Sequence, residues 1–167
     1  LLLNLSTGDE YQITGGLVDE VFPAWSPTGL SLAFLSNAGG VFSLFVSDID
    51  GSNLQMVSNT GQAGNHSWSP DGTRLAFQEA REGNLDVFSY DLNSGVEYIL
   101  SDFAGADSAP SWNCGGSMIA FTSTRDGNPN LFQVAWTGGS QTNLTTDPAT
   151  DKWSQWSPSK EIGSRGY

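Results

Sequence analysis

His66-Ser67-Trp68-Ser69-Pro70-Asp71-Gly72-Thr73-Arg74-Leu75-Ala76-Phe77 decides the fold, because edited copies of it recur along the chain. Trp25, Trp68, Trp112 and Trp156 stand at spacings of 43, 44 and 44 residues, and Trp25, Trp68 and Trp156 are each followed by Ser-Pro. The copies agree at side-chain level. Leu32-Ala33-Phe34, Leu75-Ala76-Phe77 and Ile119-Ala120-Phe121 each begin seven residues after their Trp, and Leu44-Phe45, Val87-Phe88 and Leu131-Phe132 each begin 19 after it. A period of about 40 to 45 residues, with short apolar runs bounded by Gly, Pro, Asn and Asp, is the pattern of β-propeller blades.

Each unit reads as four strands. The first unit predicts strands over residues 21–25, 30–35, 42–48 and 54–57, the second over 65–68, 74–79, 86–91 and 97–100, and the third over 109–112, 118–123, 130–135 and 141–144. Between the first two strands stands a Ser-Pro-x-Gly turn: Pro27 and Pro70 pre-set φ, Asp71 is a turn former, and Gly29 and Gly72 accept the closing backbone angle. Bulky residues flank a small Ala in each second strand, so both faces of each sheet are expected to be buried between neighbours.

The ends are incomplete copies. Residues 4–13 align with residues 91–100 at a constant offset, so the chain opens inside a blade, on its outer half. The fourth unit starts with Trp153-Ser154-Gln155-Trp156-Ser157-Pro158 but has Gly163-Ser164-Arg165 where the others have Leu-Ala-Phe or Ile-Ala-Phe. The expected architecture is therefore all-β: a propeller of four-stranded antiparallel blades, with a part-blade over 1–14, complete blades over 15–58, 59–101 and 102–145, and a part-blade over 146–167. An open arc of blades exposes apolar faces at both ends, which favours a segment of a larger ring, completed by further sequence or by self-association, over a closed four-bladed ring.

Composition narrows the partners. The net charge of −12, with 12 Asp and six Glu against two Lys and four Arg, opposes binding to nucleic-acid phosphates or an anionic membrane surface. Much of the acidity is turn chemistry, since Asp outnumbers Glu. No apolar run reaches the ~18 residues of a membrane-spanning helix, so no membrane insertion is expected, and any export signal lies outside this chain. The single cysteine, Cys114, excludes an internal disulfide; placed two residues after Trp112, where other units have Pro, it is expected to be a buried turn residue.

The pattern Pro-x-Trp-Ser-Pro-Asp-Gly-x-x-Leu-Ala-Phe, followed by a loop such as Thr124-Arg125-Asp126-Gly127-Asn128 and a Leu131-Phe132 strand, resembles the repeats of TolB-type β-propellers. The match runs over nearly the whole chain. The resemblance implies four-stranded blades, usually six or more in a ring, in a bacterial periplasmic, extracellular or cell-surface setting. Two departures stand inside the repeats: His66 replaces Pro two before its Trp, and Asn113-Cys114-Gly115-Gly116 replaces Ser-Pro-Asp-Gly.

Strand order places the links between blades on the same side as the loops between second and third strands. The longer segments gather there, over residues 36–40, 58–64, 80–84, 101–106, 124–129 and 145–150, and such loops on a rigid scaffold are the usual place for recognition. Five residues before each Trp stand Glu20, Ala63, Asp107 and Asp151, near the mouth of the central channel. They read either as a ring for a cation, a basic side chain or a hydroxyl-rich ligand, or as caps on backbone amides at the loop-to-strand junction. His66 stands beside them, either as a packed inner-strand residue or, with Glu20, Asp107 and Asp151, as a ligand-binding residue at the channel mouth. No metal-ligand spacing, no cofactor motif and no Gly-x-Ser-x-Gly elbow occurs, and Asp48-Ile49-Asp50-Gly51-Ser52-Asn53 lacks the terminal Glu of a calcium loop. Asn4, Asn65 and Asn143 open Asn-x-Ser/Thr triplets, which matter only in a glycosylating host. The leading expectation is a non-catalytic module binding a protein or peptide. The rivals are an accessory propeller of a hydrolase such as a prolyl-oligopeptidase-like peptidase, and a glycan-binding propeller.

Overall fold

The computed structural model describes residues 2–3, 5–15, 18–58, 60–146 and 149–151. Asn4, Trp156 and the remainder of the expected closing part-blade after Asp151 lie outside the described residues. Among the described residues the chain is all-β. A two-stranded sheet pairs β1 (Leu2–Leu3) with β2 (Glu10–Tyr11). Three four-stranded antiparallel sheets follow. The first holds β3 (Glu20–Trp25), β4 (Ser31–Ser36), β5 (Ser43–Asp48) and β6 (Gln55–Met56). The second holds β7 (Gln62–Trp68), β8 (Arg74–Arg81), β9 (Asn84–Asp91) and β10 (Val96–Ile99). The third holds β11 (Asp107–Trp112), β12 (Met118–Ser123), β13 (Asn130–Ala135) and β14 (Thr142–Asn143). Each sheet runs in chain order, as a propeller blade does.

The core forms two slabs between sheets. Leu35, Leu44 and Val46 of the first sheet meet Leu75, Phe77 and Phe88 of the second. Ala76, Val87 and Leu100, from the other face of the second sheet, meet Trp112, Ile119, Phe121, Phe132 and Val134 of the third. The second sheet is thus buried on both faces, and each buried Leu, Phe or Val adds roughly 1.5–3 kcal/mol by leaving water. The indole of Trp68 donates to the Ala24 carbonyl at 3.0 Å and that of Trp112 to the Ser67 carbonyl at 3.2 Å. Each Trp therefore fastens its own sheet to the one before it.

The turns explain why the motif tolerates editing. Gly29 and Gly72 lie at φ 71° and 70°, and their amides bond back to the carbonyls of Ser26 and Ser69. In the third sheet Asn113 takes the serine's place: Gly116 N–H donates to its carbonyl at 3.0 Å, and its side-chain oxygen accepts from Met118 N–H at 3.0 Å, as Ser69 Oγ accepts from Arg74. Cys114 is exposed, not buried. It sits at the tip of this hairpin, where Pro27 and Pro70 are exposed too.

A second difference concerns residues 80–84. The sequence placed a loop here, but β8 and β9 pair out to Arg81 and Asn84, and Glu82-Gly83 alone turns the chain, at φ 52° and 87°. Two successive positive φ values match the twist of a tight hairpin. The inner strands also carry bulges. Phe22-Pro23 oppose Phe34, Gly64-Asn65 oppose Gln78, and Ala109-Pro110 oppose Phe121. Pro fits two of these slots because a bulge leaves an N–H unneeded. His66 has that N–H, and its strand resumes pairing one residue sooner, with Phe77.

Candidate functional site

The inner strands start at the end of the sheets where the inter-sheet links gather, and this end positions the residues singled out from sequence. Glu20 opens β3, is exposed, and accepts a hydrogen bond from the Thr14 hydroxyl. Ala63 holds the same slot in β7 and is buried. Asp107 opens β11, is fully buried, and faces the Arg125 guanidinium at 3.4 Å. Asp151 donates its backbone N–H to the Pro129 carbonyl at 2.9 Å, while its Oδ2 is buried without a hydrogen-bond partner among the described residues. Among the described residues, Glu20 is met by the Thr14 hydroxyl and Asp107 by the Arg125 guanidinium.

His66 lies within β7, and neither of its buried ring nitrogens reaches a partner in hydrogen-bond geometry. Burial holds its imidazole below the ordinary histidine range, with the backbone of Gly64 and Ala33 acting the other way. Asp71 serves its turn. Slight burial opposes ionisation, but hydrogen bonds from Ser69, from the Thr73 amide and hydroxyl, and from Arg74 hold its carboxyl far below the usual carboxylate range.

Two arginines organise this end, and the sequence reading passed over them. Arg81 forks onto Glu97 with two bonds of 2.7 Å, pairs with the fully buried Glu79, and lies 3.8 Å from the centre of the Phe88 ring. Arg125 bonds Gln141, Ser123 and Asp107, and lies 4.2 Å from the centre of the Phe132 ring. Both stand 13 residues after their Trp, so the period that located the strands also marks them. Stacked, paired guanidiniums are rigid fixtures, and here they brace the outer strands against the loops. Beside them, burial raises the Asp86 carboxyl above its ordinary range, and Asp107 and Asp102 push the same way against Arg81.

Three clefts are open to a guest. One of about 370 Å³ lies between the second and third sheets, against Asn65, Gln78, Ala109 and Thr122. Another of about 310 Å³ lies on the face of the first sheet turned away from the second, against Ile13, Glu20, Trp25, Leu32 and Phe34. A third, of about 460 Å³, includes Arg81, Asp86, Phe88 and Asp102. None of the three is lined by more than one of Glu20, His66, Asp107 and Asp151. Among the described residues no three His, Cys, Asp or Glu side chains are grouped to hold a metal ion, and no helix is long and apolar enough to cross a membrane. This end presents amide, hydroxyl and carboxylate groups to the clefts.

Known proteins give the arrangement its family. A TolB from Agrobacterium tumefaciens, described as putative in its structure report, superposes with a TM-score of 0.71 at 26% identity, over 78% of this chain and 48% of its own. TolB from Acinetobacter baumannii superposes at 0.70 with 20% identity, over 86% and 36%. A puromycin-hydrolyzing peptidase from Mycobacterium tuberculosis shares the fold at 0.63 with 20% identity, over 79% and 21%. The chain thus spans less than half the length of each of these structures. No curated protein matches its sequence significantly. The family model described as the TolB beta propeller domain matches residues 8–162, and the chain belongs to that family.

Proposed function

We propose that this chain is a non-catalytic binding module that takes a protein or peptide at the end of the propeller where the inter-sheet links gather. The observation that carries the reading is the concavity of that end. It is walled by side-chain amides, hydroxyls and small apolar groups on strands that are braced by Arg81 and Arg125. Rigid walls bearing a few hydrogen-bonding groups suit recognition of an extended segment. The acidity of the chain adds a preference for neutral or basic partners over acidic ones. Family membership supports a periplasmic, extracellular or cell-surface setting in a bacterium, and a larger ring of which these sheets are a part.

The test is selection of a displayed random-peptide library against the purified chain. Enrichment of peptides that bind saturably, and that compete with one another, is the expected result. A library that yields no binder sinks the reading. The likeness to the Mycobacterium tuberculosis peptidase favours a second reading, an accessory propeller of a hydrolase. A longer polypeptide carrying this propeller beside a domain with a serine nucleophile elbow would decide for it.

A further inference from the structure

We infer that the cleft between the second and third sheets is a subsite that seats one uncharged residue of an extended peptide, gripping its amide groups through Gln78 and Asn65. The inference rests on the binding-module reading and names the place and chemistry of the contact.

Gln78 stands opposite the β7 bulge and joins two bulges at once. Its Oε1 accepts from Asn65 Nδ2 at 3.3 Å and from the Ala109 backbone N–H at 3.0 Å. Both bonds use the oxygen, which leaves Nε2 to donate to a guest carbonyl. Gly64 makes the arrangement possible, because a Cβ there would lie 2.7 Å from Gln78 Nε2. Ala109 is held at φ 53°, as is Phe22 in the same slot of the first sheet, so the left-handed residue belongs to the bulge itself.

Thr122 stands at the back of the cleft. It lines the cleft, is only 5% exposed, and its hydroxyl has no hydrogen-bond partner. That hydroxyl is closed off from solvent, so Thr122 shapes the wall and leaves the gripping of a guest to Gln78 and Asn65. Leu85, Ala106 and Pro129 provide the apolar remainder of the wall.

The walls also define what is excluded. Every lining residue is uncharged in a chain of net charge −12, and Asp107, between the lining residues Ala106 and Ser108, turns away to Arg125. A carboxylate guest would meet the surrounding negative field, and an ammonium guest would find no counter-ion on the wall. A sugar would find no aromatic face, since none of the lining residues is aromatic. The volume of about 370 Å³ sits at the small end of ligand clefts, which run from about 300 to 1,000 Å³. It suits one residue with its flanking amides.

The test follows the side-chain amide NMR signals of Asn65 and Gln78 while N-acetyl-leucine N-methylamide, N-acetyl-glutamine N-methylamide and methyl α-glucopyranoside are titrated separately. Saturable shifts with at least one capped amide are expected. Affinity should fall about tenfold in Ala106→Trp, which fills the cleft from an exposed position, because blocking one subsite removes most of so small a guest's contact area. Thr122→Val should leave the same binding unchanged without lowering the melting temperature, since the sealed hydroxyl does not reach the guest. Absence of saturable shifts, equal affinity in Ala106→Trp, or saturation by the glucoside alone overturns the inference. If library-selected peptides bind parent and Ala106→Trp equally, the cleft assignment fails while the binding module stands. If no peptide is selected, the module reading fails, and the small-amide titration still decides the cleft.

Discussion

Trp25 and Trp112 hold the same slot of the repeat, yet Trp25 is 51% exposed and Trp112 only 7%. The difference lies in what stands before each. Trp112 reaches back to the second sheet, bonds the Ser67 carbonyl, and is flanked by the Arg74 guanidinium 5.4 Å from its ring centre. Ahead of Trp25, among the described residues, stands only the β1–β2 pair, whose following residue Ile13 packs its carbonyl against Gly51 at the outer side of the first sheet. The motif Trp does not stabilise its own sheet so much as the joint with the preceding one. A repeat of this kind carries half of an interface in every unit.

The largest expected effect follows from that contrast. Trp112→Ala should lower stability by about 3–5 kcal/mol, a large share of the ~5–15 kcal/mol typical of a domain. Trp25→Ala, at a side chain already half exposed, should cost less, about 1–2 kcal/mol. Urea melts of the two variants measure the pair. Equal losses would break the comparison and return the tryptophan to a role inside its own sheet.

The second contrast sets Arg81 against its counterpart in the first sheet, which is Ala38. Arg81→Leu strips the partner from Glu79, which is fully buried and otherwise bonded only to Thr60 and the Gly61 amide. Removing one member of a buried pair costs about 3 kcal/mol or more, and adding Glu79→Gln should restore part of it. Ala38→Arg at the exposed equivalent should change stability by less than about 1 kcal/mol. Should Arg81→Leu melt like the parent, the bracing role of the guanidinium is lost.

These contrasts also show what the sequence could reveal. The Trp period and the Leu-Ala-Phe triplets announced the three sheets, because packing between identical units forces identical residues into identical slots. The turn glycines at 29, 72 and 116 did the same for the hairpins, since only a residue tolerant of positive φ closes them. The site was less legible. Gln78 occupies a slot held by Leu35 in the first sheet and Thr122 in the third, so no repeat marks it. Its importance comes from the bulge across from it, which only the paired strands make visible. Arg81 and Arg125 were marked by the period, but a lone basic residue in a polar stretch does not name its carboxylate or aromatic partners. The Cys114 exposure was open to inference from Pro27 and Pro70, whose tip position a hairpin dictates.

A smaller effect should appear with pH. His66 is the sole histidine, and burial against the first sheet keeps its pKa below the ordinary value. The unfolded chain then binds a proton that the folded one resists, so stability is full above the unfolded pKa of about 6.5 and declines as pH falls below it. His66→Phe should flatten the melting temperature between about pH 8 and 5.5, the window over which an ordinary imidazole titrates. Lower melting temperatures for the parent at pH 8 than at pH 5.5 would contradict a buried neutral imidazole at this joint.

The finest test separates the bulges. Phe22 and Ala109 both stand at φ 53°, whereas Asn65, in the same slot of the second sheet, is not among the positive-φ residues. A left-handed non-glycine costs about 1–2 kcal/mol, and glycine removes that strain while losing about 0.5–1 kcal/mol to its greater freedom when unfolded. Ala109→Gly should therefore be neutral or gain about 0.5 kcal/mol. Asn65→Gly has no strain to relieve, and should lose about 0.5–1 kcal/mol besides the bond from Asn65 to Gln78. Phe22→Gly should follow Ala109 in sign, since its side chain is 67% exposed and loses little packing. Thermal melts resolve shifts of this size when run side by side. A loss at Ala109 as large as that at Asn65 would mean that the bulges of the two sheets bear the same load.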